Sequence, residues 1–302
     1  MPQTDSRVPT PLPAWFLAIA LAALAWGGAW FAVVEGGAQI DSPFTEFNRA
    51  RIQAFDSTAT AAGVRRVVLL GSSALKYATR DEPKFTEGVA DAAGVPVVTL
   101  RITSNWGSFY EFAPIAADIL RAHPDLVVME SEFLAADRPR VQRFLLWIKY
   151  ARRRLGLDVP DDEPGVSEAD VQYAHACWKR KVPWSHARLL ELRADWVTVM
   201  PDGPGPRAAS RFAEQLLLQG AGVAFVAIPR RPDYEAEARR TRTVANSGDA
   251  ARALSGRVQH WELEPMPAAM YCDLTHVTPA GQAQVSDSLE SSIAKALSRP
   301  PS

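Results

Sequence analysis

Val67-Val68-Leu69-Leu70-Gly71-Ser72-Ser73 is an unbroken apolar run that stops on a glycine and two serines. Consecutive aliphatic side chains without polar alternation suit a strand covered on both faces, the condition of a strand inside a parallel sheet. The strand is expected over 66–70, and further β-rich runs stand at 95–102, 125–129, 223–228 and, more weakly, 257–263. Between them, 83–93, 108–122, 206–219 and 234–254 have helical composition, and Thr278-Pro279 forms a cap and first-turn pair for a last helix ending near 297. Strands alternating with helices predict an α/β fold, a three-layer α/β/α sandwich on a parallel sheet.

Outward from that core, the chain divides into segments of different character. Residues 14–34 carry no charge and include Trp15, Phe16, Trp26, Trp30 and Phe31, enough length to cross a bilayer as one transmembrane helix. No small-residue cleavage site follows the run, so an uncleaved anchor is expected rather than a signal peptide. Arg7 precedes it and Glu35 and Asp41 follow, which predicts a cytoplasmic tail at 1–13 and an extracytoplasmic (periplasmic) bulk. Residues 35–64 read as a helical stalk and 65–298 as the main domain. Residues 135–201 break the strand–helix rhythm and are expected to be a helical insertion. Within it, 138–154 interleaves Arg138, Arg140, Arg143, Lys149, Arg152, Arg153 and Arg154 with Val141, Phe144, Leu145, Trp147 and Ile148. That pattern suits an anionic membrane surface or a membrane partner, and equally a helix packed on its own domain with a solvated basic face.

Composition narrows the function. The 302 residues are 47% apolar, ample for a core, and 33 basic against 34 acidic residues leave a net charge of -1. That balance provides no electrostatic reason to expect nucleic acid. Two cysteines, Cys177 and Cys272, exclude a disulfide framework; one bridge stays open, and two unpaired thiols are the plainer expectation. No phosphate loop, dinucleotide fingerprint or metal-ligand spacing occurs, so no cofactor and no metal is expected.

The residues that carry chemistry lie at opposite ends of the domain. Ser73 follows the first strand, and Asp273-Leu274-Thr275-His276 arrives just before the last helix. A hydroxyl becomes an effective nucleophile when an imidazole takes its proton and a carboxylate holds that imidazole in one tautomer. With Gly71-Ser72-Ser73 after a strand and a late Asp-x-x-His, the chain resembles the SGNH (GDSL-like) hydrolase and acyltransferase superfamily over roughly 65–298. The resemblance implies an SGNH/flavodoxin-like fold with Ser73 as nucleophile, His276 as base and Asp273 as its orienting partner.

The same resemblance implies an oxyanion hole, and there this chain departs. After the second strand, Thr103-Ser104-Asn105-Trp106-Gly107 offers Gly107 or Asn105 as donors. Where the family carries Gly-x-Asn-Asp after the third strand, this chain has Glu130-Ser131-Glu132-Phe133, leaving Ser131 as a replacement donor. Ser72 replaces the family's aspartate, and the Gly-Ser-Ser turn is similar to that of the membrane-anchored D-alanyl transfer proteins of teichoic acid modification. Arg230, at the end of the fourth strand, is a candidate for holding an anionic glycan or acyl carrier. The resemblance therefore implies a membrane-anchored O-acyltransferase, with acetyl the expected group, acting on a cell-envelope polysaccharide. Its partners would be an acyl donor, the surface polysaccharide or glycan, and a polytopic membrane-bound O-acyltransferase. A carbohydrate acetyl esterase of the same fold and a noncatalytic glycan- or partner-binding adaptor remain open.

Overall fold

The computed structural model describes residues 12–35, 37, 40–58, 63–104, 108–157, 198–236, 239 and 249–298. The strands in chain order are β1 (Arg65–Gly71), β2 (Val97–Thr103), β3 (Leu126–Glu130), β4 (Ala136–Asp137), β5 (Thr198–Val199), β6 (Gly222–Ala227) and β7 (Gln259–Glu262). The helices are α1 (Leu12–Val34), α2 (Pro43–Thr58), α3 (Ser73–Ala78), α4 (Glu82–Ala93), α5 (Ala116–Arg121), α6 (Arg140–Arg154), α7 (Pro204–Leu218), α8 (Asp249–Ala253) and α9 (Pro279–Leu297). The protein is α/β: a parallel sheet of order β2-β1-β3-β6-β7 with helices, plus one apolar helix near its N-terminus. All five runs expected as strands are the strands of this sheet.

Successive strand residues point to opposite faces, and the burial pattern follows that period. Val68, Leu70, Leu100, Ile102, Val127, Met129 and Phe225 pack with Phe44, Ile52 and Phe55 of α2 and Phe212 and Leu216 of α7. Val67, Leu69, Leu126, Val128 and Val226 pack with Leu75 of α3, Phe85 and Val89 of α4, and Val285, Leu289 and Ile293 of α9. Because β2 and β3 flank β1, the chain's winding reverses between β1 and β3, and ligands of open α/β sheets bind in the crevice at such a point. Ser73 and Glu130 follow or end those two strands.

One local expectation needs correction. The helix expected over 108–122 is broken into 3-10 turns at Phe109–Glu111 and Ala113–Ile115 before α5 begins. Pro114 has no N–H to donate, so a single α-helix cannot run through it. Of the helix expected over 234–254, residues 234–236, 239 and α8 are helical, whereas 237–238 and 240–248 lie outside the described residues.

The expected insertion leaves and rejoins the domain at one place. β4 pairs antiparallel with β5, Ala136 opposite Val199, and the Met200 N–H donates to the Ala135 carbonyl at 2.8 Å. Residues 158–197 between them lie outside the described residues. At this neck the buried Asp137 carboxylate accepts from Arg143 Nη1 at 2.8 Å, the Arg138 N–H at 2.8 Å, the Gly205 N–H at 3.0 Å and Ser108 Oγ at 3.2 Å. Arg143 and Arg138, read from the sequence as part of one basic face, instead turn inward to Asp137 and Glu111. Buried charge demands a partner, and both arginines have one.

Candidate active site

The turn that carries Ser73 is built first by what β1 cannot continue. Ser72 caps α3: its Oγ accepts the Ala74 N–H at 3.1 Å, so Ser73 becomes the first residue of the helix. Beneath the turn lies Glu130, wholly buried at the end of β3. Its Oε1 accepts the Ser72 N–H at 3.0 Å, the Ser72 hydroxyl at 3.0 Å and the Leu75 N–H at 2.9 Å. Gly71 is required by this closeness, since a Cβ there would lie 2.8 Å from Glu130 Oε1 and 2.5 Å from Leu75 Cδ2.

The second half is a self-contained loop between β7 and α9. Tyr271 bridges Val277 in antiparallel fashion, and the Cys272 N–H donates to the His276 carbonyl at 3.0 Å. One oxygen of Asp273, Oδ1, accepts the Thr275 N–H at 2.8 Å and the His276 N–H at 2.7 Å. The other, Oδ2, meets His276 Nδ1 at 2.6 Å. The Arg231 N–H ties the end of β6 to this loop by donating to the Leu274 carbonyl at 3.1 Å.

The two halves meet because α9 is stitched to α3. Gln282 Nε2 donates to the Thr79 carbonyl at 2.8 Å, the Arg80 N–H to Ser286 Oγ at 2.9 Å, and Arg80 pairs with Glu290 at 2.7 Å. His276 Nε2 then lies 3.0 Å from Ser73 Oγ, with the Tyr77 ring edge-on to the imidazole at 4.9 Å. Ser73, His276 and Asp273 therefore form one hydrogen-bonded chain, partly open to solvent.

Electrostatics differ sharply between the two carboxylates. Burial opposes the charge of Asp273, but its hydrogen bonds to the His276 ring and to the His276 and Thr275 N–H groups outweigh that, holding its pKa down to about 2. Burial and the nearby Glu132 push Glu130 the other way, up to about 7, against the pull of Arg230 and the Ser72 hydrogen bonds. With Asp273 ionised and bonded to Nδ1, the proton of a neutral His276 sits on Nδ1 and Nε2 is the acceptor facing Ser73.

The remaining candidates fall out as follows. Asn105 and Gly107 lie outside the described residues. Ser131 opens a 3-10 turn after β3 and is half-buried. Arg230 is buried, its guanidinium paired with Glu132 and over the Tyr234 ring, so its charge is balanced inside the protein. Cys272 is disulfide-bonded, against the expectation of two free thiols, while Cys177 lies outside the described residues. Cysteines pair by proximity in space, which sequence distance conceals.

Two contributors escaped the sequence reading. Glu130 occupies the segment searched for an asparagine, and only its contacts show that it clamps the turn. The other is the Ser73 N–H itself. Ser72 and Leu75 donate to Glu130 and Ala74 to Ser72, so in this first turn the Ser73 N–H is the one that no hydrogen bond engages among the described residues. An unpaired N–H at the start of a helix beside a hydroxyl–imidazole pair is free to take a ligand oxygen as its partner.

The chain matches no family model and no curated protein.

Proposed function

We propose that the protein is a membrane-anchored, extracytoplasmic SGNH-type O-acyltransferase, its sheet and helices forming a three-layer α/β/α sandwich, and that it acylates a cell-surface polysaccharide. The observation that carries this reading is the unbroken chain Ser73 Oγ–His276 Nε2, 3.0 Å, and His276 Nδ1–Asp273 Oδ2, 2.6 Å, beside the reversal point of the sheet. Ser73 Oγ attacks the carbonyl of an acyl donor while His276 Nε2 takes the hydroxyl proton. The Ser73 N–H supports the oxyanion. Collapse of the tetrahedral species breaks the bond to the donor's leaving group, which departs with the proton held by His276. A glycan hydroxyl then attacks the acyl-serine, passing its proton to His276, and Ser73 Oγ takes that proton back as the acyl–serine bond breaks. Asp273, ionised throughout, steadies the imidazolium.

The anchor reading rests on α1. It has 23 residues; its most apolar 18-residue stretch has a mean hydropathy of 2.1, and only 11% of that stretch is buried, unlike the core helix of a soluble protein. Its last residues, Val33 and Val34, are buried against α6, and Glu35 pairs with Arg140 at 3.3 Å. A segment integrated in this way supports retention rather than cleavage. Tethering keeps the site near a membrane-embedded acyl carrier, the place where a polytopic O-acyltransferase would deliver its group.

The test is intact-mass measurement of the full chain in detergent after exposure to an activated acetyl ester. One acetyl adduct is expected, located by peptide mapping on Ser73 and absent from Ser73→Ala. In the producing cell, Ser73→Ala should lower the acyl content of the surface polymer. No adduct together with unchanged polymer defeats the enzymatic reading, and a rise in polymer acylation assigns the site to deacylation instead.

A further inference from the structure

α6 is the sequence feature that the proposed chemistry leaves unused. Its middle packs on the last turns of α1: the Phe144 ring meets Trp26 and Trp30 edge-on, each at 5.0 Å, and Trp147 and Ile148 join the same cluster with Val33 and Val34. Both ends of α6 are tied to the chain just after α1. Arg140 pairs with Glu35, and Arg154 pairs with Asp41 at 2.9 Å. At 1.5 Å per residue, Trp30 stands about 6 Å inside the end of α1 and leaves about 27 Å of helix back to Leu12, close to the thickness of a hydrocarbon core. A tryptophan at that depth of a spanning helix marks the membrane–water boundary. α6 is therefore laid across α1 at the level of that boundary.

α6 also exposes apolar side chains to the outside, where a water-facing helix would be polar. Val141 and Leu145, one turn apart and flanking Phe144, are 57% and 58% exposed, and Leu155, just beyond the helix end, is 76% exposed. No acidic residue occurs in α6, and its last turn is Arg152-Arg153-Arg154. An apolar strip rimmed by cationic side chains and continuous with a spanning helix matches one environment, the headgroup–acyl boundary of a bilayer containing anionic lipid.

We propose that α6 is an interfacial helix, with Val141 and Leu145 set into the surface of the bilayer that α1 crosses and its basic turn among anionic headgroups. This rests on the anchor reading above. It adds that the domain is held by two contacts, so that the site is fixed in height and orientation over the membrane instead of swinging on a flexible leash.

The full chain would be reconstituted in phosphatidylcholine vesicles with and without phosphatidylglycerol, carrying a genetically encoded environment-sensitive fluorophore at position 145, 21 or 218. Leu21 lies within α1, and Leu218, 82% exposed at the end of α7, is the water-facing reference. Quenching of the label at 145 by lipid spin-labelled near the headgroup is expected to exceed that at 218 by roughly threefold, with blue-shifted emission, and to fall by about half without phosphatidylglycerol. A label at 145 that behaves like one at 218, while the label at 21 is quenched by deep spin labels, overturns the interfacial helix and leaves the anchor standing. A label at 21 that escapes deep quenching overturns the anchor, and the interfacial helix with it. Quenching at 145 that is indifferent to phosphatidylglycerol overturns the electrostatic half of the proposal.

Discussion

The Ser73 turn and the Asp273–His276 loop face each other across 3.0 Å but are held together by opposite means. The loop carries its own scaffold: Asp273 accepts from Thr275 and His276 only two and three residues on, so one side chain both shapes the backbone and orients the imidazole. The turn has no such self-sufficiency. Its Ser72 and Leu75 amides are satisfied by Glu130, which reaches them from the neighbouring strand, and its Ala74 amide by the cap at Ser72. A site half built from local contacts and half from a remote buried acid should fail in two distinguishable ways when each half is disturbed.

The largest effects should come from the proton path. His276→Ala removes the base outright and is expected to lower kcat by about 10⁶-fold, and Asp273→Asn by about 10⁴-fold through loss of the tautomer that leaves Nε2 as acceptor. Because asparagine keeps an oxygen for the Thr275 and His276 N–H groups, the loop and the melting temperature should change little. A melting curve beside the kinetics of acetyl-ester turnover checks both parts. Collapse of the fold in Asp273→Asn would show that the loop depends on the charge as well as on the oxygen.

Glu130 should respond to pH in a way Asp273 does not. Its folded pKa, about 7, lies above the ordinary 4.5, so the folded protein keeps a proton that the unfolded chain releases earlier. The stability tied to that proton is complete below pH 4.5 and drains away as pH rises through 7. In full it amounts to something on the order of 3 kcal/mol. Glu130→Gln retains the acceptor oxygen without the titration, so stability from pH 5 to 8 should be flatter than in the wild type and kcat should stay within about tenfold. Glu130→Ala, which strands the Ser72 and Leu75 amides, should lose about 1–3 kcal/mol and lower kcat with little change in KM. Denaturant midpoints across pH, with kinetics on both variants, decide it; equal pH slopes in wild type and Glu130→Gln would remove Glu130 from this role.

The contrast also explains what the sequence made readable. Runs such as Val67–Leu70 announce strands because burial on both faces leaves a local compositional mark, and Asp-x-x-His is readable because the loop's bonds span three residues. Glu130 was on the page as a residue and not as a contact, since nothing near it in the chain says that its oxygen meets Ser72 and Leu75. Arg138 and Arg143 misled for the same reason: helical spacing placed them on a basic face, but the buried acids that draw them inward, Glu111 and Asp137, are chosen by packing. Pro114 splits 108–122 into short turns although the residues around it have helical composition, because one missing N–H outweighs a segment's average propensity.

The finest test sets two caps against each other. Ser72 Oγ caps α3 on the Ala74 N–H, and Thr278 Oγ1 caps α9 on the Gly281 N–H at 3.3 Å while bonding the Met270 carbonyl at 3.2 Å. Replacing either by alanine should cost about 1 kcal/mol of stability. Their effects on turnover should differ. Thr278 acts behind a loop whose geometry Asp273 already secures, so kcat in Thr278→Ala should be nearly unchanged. Ser72 also donates to Glu130 Oε1, so Ser72→Ala loosens the turn that carries Ser73 and should lower kcat several-fold. Combined with Glu130→Gln in a double-mutant cycle, Ser72→Ala should show a coupling of about 0.5–3 kcal/mol, whereas Thr278→Ala with Glu130→Gln should be additive. Additivity in both pairs would mean that the turn, like the loop, is held by local bonds alone.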